Sequence, residues 1–110
     1  MILYNKTKNI VVSDKLKIAN NFINRFLGLI PKKKLEESEC LMITNCPAVH
    51  SCFMRFTIDV VFVSKENKVL DIVRMKPWRF SKFYDSKYAI EFNSGFVYGK
   101  ISIGDEVEVK

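Results

Sequence analysis

Apolar residues in the first quarter of the chain change from short runs to a helical spacing. Residues 2–4 and 10–12 are apolar runs on either side of a polar stretch, which predicts an opening β-hairpin. Beyond them, apolar side chains recur every three or four residues, as one face of an α-helix requires: Leu16, Ala19, Phe22, Ile23, Phe26 and Leu27. Ser13 or Asp14 would cap this amphipathic helix, and Gly28 would end it.

From residue 40 onward the pattern is that of β-strands separated by polar turns. We expect strands over residues 40–44, 52–56, 58–63, 69–75, 88–92 and 106–109. The run 58–63 is apolar except at Asp59, so this strand is expected to be buried on both faces. The polar residues 64–68 would connect it to the next strand as a hairpin.

These elements predict an α+β, mostly β fold: an antiparallel sandwich or open barrel with one amphipathic helix packed against it. The chain has 110 residues, 48% hydrophobic and 27% charged, which is typical of a single globular domain over 1–110. No apolar run approaches the roughly 18 residues that cross a bilayer. The first residues also lack the pattern of a secretion signal. We therefore expect a cytoplasmic protein that does not enter the membrane.

Several motifs along the chain resemble the domain of unknown function 192 (DUF192) family. The central motif is formed by residues 50–63, a polar turn and residues 68–72. It is flanked by Gly28-Leu29-Ile30 on one side and by residues 88–95 and 103–107 on the other. The resemblance covers nearly the whole chain. It implies a β-rich, sandwich-like fold with helical cover, and it implies no established activity.

Positive charge is concentrated in the N-terminal third. The net charge is +6, and residues 1–35 contain eight basic side chains against the single acid Asp14. Such a surface can attract nucleic acid, so weak nucleic-acid binding through this region is one alternative function. Fourteen of the eighteen basic residues are lysines, however, whereas base and phosphate recognition usually depends on arginine. We therefore do not favour nucleic acid as the partner.

A cluster of cysteines and the single histidine suggests a second alternative. Cys46, His50 and Cys52, with Cys40 upstream, carry the side chains that bind zinc or act as thiol nucleophiles. Their spacings match none of the familiar zinc patterns, and three cysteines in a cytoplasmic chain are typical of reduced thiols. We expect no metal and no cofactor. A metal- or thiol-dependent small hydrolase using Cys46, His50 and Cys52 stays open as an alternative.

Asp59 is the polar residue most out of place in its surroundings. A carboxylate inside an apolar strand must be paired, hydrogen-bonded or placed at an opening, because a buried unpaired charge is costly. Asp59 is therefore expected to bind backbone amides near residues 56–58, to pair with Arg55, or to contact a ligand at the sheet edge. Glu91 lies in another apolar strand and could line the same opening.

The loop at residues 76–80 places an aromatic ring beside a cation. Trp78 and Arg79 together suit stacking on a sugar, a base or a peptide side chain. The alternative is that the loop only closes one end of the sandwich with its aromatic rings.

The hypothesis that best accounts for these residues is a small non-catalytic domain that binds a ligand or partner. Its pocket is expected near segments 50–59 and 76–80. The predicted pocket residues are His50, Arg55, Asp59, Trp78, Arg79 and Glu91. The partner would be a small molecule or a protein, and whether the chain is an enzyme is left open by its sequence.

Overall fold

The computed structural model describes residues 1–19, 37–44, 47–51 and 55–110, and strands dominate this part of the chain. The strands are β1 (Leu3–Asn5), β2 (Ile10–Ser13), β3 (Lys15–Ala19), β4 (Glu39–Thr44), β5 (Ile58–Val63), β6 (Val69–Met75), β7 (Tyr88–Asn93) and β8 (Val107–Val109). They form two sheets, one with the order β2-β1-β8 and one with the order β3-β4-β7-β5-β6. The mostly β, two-sheet part of the prediction is therefore confirmed.

The smaller sheet joins the two ends of the chain. β1 pairs antiparallel with β2, which confirms the opening hairpin. β8 pairs antiparallel with the other edge of β1, and Leu3 lies opposite Val109. Ile2 and Lys110 exchange two backbone hydrogen bonds, of 2.9 and 2.8 Å. The first and last strands of the chain are thus neighbours in one sheet.

The larger sheet has the β5–β6 hairpin at one edge. β5 and β6 are antiparallel and joined by the predicted turn over residues 64–68, while the other edge of β5 pairs with β7. The hairpin register shifts between Phe62 and Val63. If the pairing of Val63 with Val69 continued along the hairpin without that bulge, Val73 would lie opposite Asp59. The extra residue brings Arg74 to that position instead.

The amphipathic helix predicted after Ser13 is wrong over its first residues. Lys15–Ala19 form strand β3, which pairs parallel with β4, so the larger sheet is not wholly antiparallel. Leu16 is buried between the exposed Lys15 and Lys17, which is the alternation of a strand, while Ile18 is 40% exposed. Five residues are too few to separate a three-residue from a two-residue apolar period. Residues 20–27 of the predicted helix lie outside the described residues, and the described part contains no helix.

The strand predicted over 52–56 is also wrong where it can be compared. Arg55 and Phe56 form a bend before β5 begins, and residues 52–54 lie outside the described residues. The other predicted strands agree with β4 to β8 to within one residue at most ends.

The larger sheet is buried on both faces. One face packs against the smaller sheet, and this shared core includes Leu3, Val61, Ile90, Phe92 and Val107. The other face carries a second cluster that includes Leu41, Ile58, Val60, Phe62 and Ala89. All six residues of β5 are buried, which confirms the prediction that this strand has two buried faces. Any polar side chain on β5 or β7 must therefore find its partners inside the protein.

Candidate functional site

Asp59 sits near the start of β5 and joins three parts of the larger sheet. Its side chain is only 6% exposed. Oδ1 accepts a hydrogen bond from Nε of Arg74 on β6 at 3.1 Å, and Oδ2 accepts the backbone N–H of Gly95 at 2.7 Å. The prediction that Asp59 must be paired is thus confirmed. The expected partners were wrong, because Arg74 takes the place proposed for Arg55, and the amide comes from Gly95.

The sequence determines this geometry through one bulge and one glycine. The register shift in the β5–β6 pairing, where Leu70 of β6 is the extra residue, puts Arg74 directly opposite Asp59 on the same face of the sheet. Gly95 follows β7 with a φ of 88°, a left-handed conformation that side chains disfavour. A Cβ at Gly95 would meet nothing within 4 Å, so the backbone conformation, not lack of space, is what favours glycine there.

The Arg74 guanidinium lies between the buried carboxylate and solvent. Its Nε and Nη2 face Asp59, at 3.1 and 3.5 Å, while its side chain is 62% exposed. The hydrogen bond from Arg74 to Asp59 and the charge of Asp59 raise the pKa of Arg74, so the cation is permanent. A guanidinium has five N–H groups, and the carboxylate uses only those on one side. The remaining donors are available to a ligand.

Arg74 forms part of the wall of an open cleft of about 410 Å³. The other lining residues are Asp59, Ile72, Gly95, Val97, Tyr98, Gly99, Ile101 and Ser102. Residues 94–100 are a run of turns that folds back on the sheet and places Val97 and Ile101 in the core. The ring of Tyr98 is 90% exposed. The cleft thus combines a fixed cation, apolar side chains and an aromatic ring.

Three other predicted site residues lie together, in two segments that run side by side. His50 and Phe80 form an isolated antiparallel bridge, and their ring centroids are 6.0 Å apart. The backbone N–H of Trp78 donates to the carbonyl of Ser51 at 3.0 Å. The N–H of Ser51 donates to the carbonyl of Arg79 at 2.8 Å. The structure therefore brings His50, Trp78 and Arg79 together.

The predicted pocket does not contain both acids. Asp59 lies opposite Phe92 and Glu91 lies opposite Val60, and successive residues of a strand point to opposite faces. Asp59 and Glu91 are therefore on different sides of the larger sheet. Glu91 is fully buried in the second face, whereas Asp59 reaches the cleft. Arg55 is exposed in the bend before β5.

Cys40 is the one cysteine of the predicted cluster that lies within the described residues. Cys46 and Cys52 lie outside the described residues, and within the described ranges no group of three or more metal-binding side chains occurs. Cys40 is buried in β4, and this burial raises the pKa of its thiol to about 11. At neutral pH the Cys40 thiol is protonated and therefore a poor nucleophile and metal ligand.

Several N-terminal lysines have acidic partners close by. Three of them form ion pairs: Lys6 with Glu106 at 3.1 Å, Lys8 with Asp105 at 2.6 Å and Lys17 with Glu39 at 3.3 Å. The positive charge that the sequence concentrates in this region is thus partly offset in the fold.

As for membranes, the described residues include no helix with the length and apolar character to cross one.

Arg74, Gly95 and Tyr98 were missed by sequence reasoning. A signal for Arg74 did exist, since a lone arginine and a lone aspartate occur in two neighbouring apolar strands. Gly95 was noted only as the last residue of the motif over residues 88–95, and Tyr98 was in none of the predicted motifs.

Comparison with known proteins is consistent across sequence and structure. The family model of DUF192, described as "Uncharacterized ACR", matches residues 3–109. A UPF0127 protein of Pyrococcus furiosus is 33% identical over 115 residues, covering 96% of both chains. A UPF0127 protein of Thermococcus sibiricus is 34% identical over 116 residues, covering 97% of this chain and 73% of the relative.

A solved structure has a similar fold at low sequence identity. It is a protein of unknown function from Novosphingobium aromaticivorans, with a TM-score of 0.77 and 18% identity, covering 98% of this chain and 82% of its own. The fold is therefore shared well beyond the range of clear sequence similarity. From the match over residues 3–109 and the UPF0127 relatives, the chain belongs to the DUF192 family, the same family as UPF0127.

Proposed function

We propose that the chain is a non-catalytic binding domain that takes a small organic anion in the cleft beside Arg74. The observation that carries this proposal is the placement of the guanidinium. Asp59, nearly buried, holds one side of Arg74, and the other side faces a cleft of about 410 Å³.

The arrangement favours a carboxylate or phosphate over a neutral polar group. The terminal N–H groups of a guanidinium form two parallel hydrogen bonds to such an anion. Because Asp59 fixes the side chain, less rotamer freedom is lost when a ligand binds. Asp59 also offsets the charge of Arg74, so the site would select by geometry more than by long-range attraction. Moderate affinity is therefore expected.

The remaining walls of the cleft suit a hydrocarbon or ring attached to the anion. Ile72, Val97 and Ile101 supply apolar surface, and Tyr98 supplies an exposed ring on which a flat group can stack. A ligand that joins a carboxylate or phosphate to an aromatic or sugar ring would use both features.

The lining residues favour binding over catalysis. The most plausible nucleophile there is the hydroxyl of Ser102, which accepts a hydrogen bond from Lys8 at 2.9 Å. The ammonium of Lys8 also pairs with Asp105 at 2.6 Å. An ammonium held in an ion pair cannot take the proton of the serine, so this pair lacks the general base that nucleophilic catalysis requires.

Thermal unfolding with a panel of small anions tests the proposal. The panel would contain aliphatic carboxylates, aromatic carboxylates, sugar phosphates and nucleoside monophosphates. A ligand at 100 times its dissociation constant stabilises by about 2.7 kcal/mol, which raises the melting temperature by roughly 10 °C or more for a domain of this size. Arg74→Gln should abolish the shift.

Arg55→Gln is the matched control, because it removes an exposed arginine that does not line the cleft. It should leave the ligand-induced shift unchanged. The proposal is wrong if no anion stabilises the wild-type protein, or if the stabilisation survives in Arg74→Gln.

A further inference from the structure

A second surface of the molecule exposes large aromatic rings among cations. We call residues 76–83 the aromatic–basic ribbon. Three of its rings are largely exposed: Trp78 at 56%, Phe80 at 76% and Phe83 at 81%. Three exposed cations alternate with them, Lys76, Arg79 and Lys82, and the segment contains no acid. Exposed rings at this density on a small domain indicate an interaction surface.

The backbone of the ribbon is held in place. Ser51 accepts the N–H of Trp78 on its carbonyl at 3.0 Å and the N–H of Arg79 on its hydroxyl at 2.8 Å. The N–H of Ser81 donates to the carbonyl of Val49 at 2.9 Å, and the N–H of Val49 returns a bond to the hydroxyl of Ser81 at 3.0 Å. The rings therefore extend from an ordered support, so a partner does not have to order the backbone on binding.

The cations of the ribbon differ from the lysines at the N-terminus. Lys6, Lys8 and Lys17 each have a carboxylate within 3.3 Å. Among the described residues, no ion pair to a carboxylate involves a cation of the ribbon. Carboxylates thus offset these three N-terminal lysines, and no carboxylate of the described residues pairs with the cations next to the exposed rings.

We propose that the aromatic–basic ribbon docks single-stranded nucleic acid. A single strand presents a flat base and a phosphate in each nucleotide, and rings interleaved with cations match both at once. This surface is distinct from the cleft beside Arg74, and the inference does not depend on a ligand there.

The fluorescence of the tryptophan provides a direct test. Trp78 is the only tryptophan of the chain, so its emission reports binding at the ribbon. A short oligothymidylate should quench this emission. The affinity should fall steeply as the salt concentration rises, because the cations that bind phosphates displace counterions from the nucleic acid. Duplex DNA of the same sequence should bind more weakly because its bases are already stacked.

Two double variants separate the contributions of rings and charges. The double variant Phe80→Ala with Phe83→Ala retains Trp78 as the reporter and all cations. It should weaken oligothymidylate binding by about fivefold or more for each ring lost. Arg79→Gln with Lys82→Gln should reduce the salt dependence. Ile103→Ala and Lys6→Gln remove an exposed apolar side chain and an exposed cation elsewhere, and should bind like the wild-type chain.

Three results would overturn the inference. The first is quenching by vesicles of anionic phospholipid but not by oligothymidylate, which would assign the ribbon to a membrane surface. The second is equal affinity for heparin and oligothymidylate with no effect of the phenylalanine substitutions, which would leave only charge attraction. The third is the absence of any quenching.

Discussion

The carboxylate of Asp59 accepts the backbone N–H of Gly95 at 2.7 Å, across 36 positions of sequence. The same carboxylate accepts Nε of Arg74 at 3.1 Å. One nearly buried acid thus fastens the turn after β7 to the β5–β6 hairpin, and it also directs the guanidinium that we assign to ligand binding. These two roles can be separated, because the hydrogen bond from Gly95 requires the carboxylate of Asp59 and does not involve Arg74.

Removing Asp59 should destabilise the protein more than removing Arg74. Asp59→Ala removes the hydrogen bonds that its nearly buried carboxylate accepts from Gly95 and Arg74, and should cost about 1–3 kcal/mol in the free energy of unfolding. Arg74→Ala leaves Asp59 hydrogen-bonded to Gly95 at the wall of the open cleft, where water can take the place of the exposed guanidinium, so its cost should be smaller, about 1 kcal/mol or less. Urea denaturation measures both. Equal costs would show that the ion pair with Arg74, not the hydrogen bond from the Gly95 N–H, is the contact through which Asp59 stabilises the protein.

Acid should weaken the contact between the hairpin β1–β2 and the loop before β8. Burial alone would raise the pKa of Asp105, but hydrogen bonds from Lys8, Asn5 and the amide of Ser102 outweigh it and hold the pKa below the ordinary 3.8. A carboxyl with a depressed pKa stabilises the fold above its unfolded pKa, and this contribution is lost as the pH falls below 3.8.

Comparison with Asp105→Asn tests this effect. The wild-type advantage in the free energy of unfolding should be full at neutral pH and should shrink below about pH 4. Asp85→Asn, at an exposed loop carboxylate outside the network, serves as the control. A difference between wild type and Asp105→Asn that does not change with pH would contradict the prediction.

The thiol of Cys40 should be unreactive in the folded protein. Its pKa is raised to about 11 from an ordinary 9.0 by burial, so its thiolate fraction at pH 8 is about a hundred times smaller than that of an ordinary thiol. In the variant Cys46→Ser with Cys52→Ser, Cys40 is the only cysteine. A thiol-specific reagent should then react with one group only after denaturation, and rapid reaction of the native protein would refute the prediction.

The turn between β5 and β6 should discriminate between substitutions at Asn67. This residue has a φ of 64°, and its side chain accepts a hydrogen bond from the hydroxyl of Tyr88 at 3.3 Å. Asn67→Gly and Asn67→Val both lose that bond, so they differ mainly in backbone conformation. Thermal unfolding should show the valine variant less stable by about 1 kcal/mol, because a β-branched residue resists positive φ. Equal stabilities would indicate that the turn adapts.

The predictions from sequence succeeded where the information was local. The hairpin turn over 64–68, the two buried faces of β5 and the need for a partner at Asp59 all follow from runs of a few residues. The sequence-based reasoning failed at β3, where a short alternating segment was interpreted as the start of a helix. Its partner β4 begins more than twenty positions later, and parallel pairing leaves no mark on the segment itself.

The site illustrates the same limit at the level of single residues. Arg55 is the arginine nearest to Asp59 in sequence, but Arg74 is the one opposite it in the sheet. The choice depends on a bulge at Phe62 and Val63, and such a one-residue shift is decided by how both faces of the strand pack. Gly95 reaches Asp59 only because β7 is the other neighbour of β5.

The pairing of Leu3 with Val109 also sets an order of events during synthesis. β1 leaves the ribosome before its partner β8, so the smaller sheet cannot be completed until β8 has emerged. Until then, the face of the larger sheet that packs against it lacks part of its cover, and that face includes Val61, Ile90 and Phe92. The nascent protein therefore exposes apolar surface until the last strand is in place, a period in which chaperones have a surface to bind.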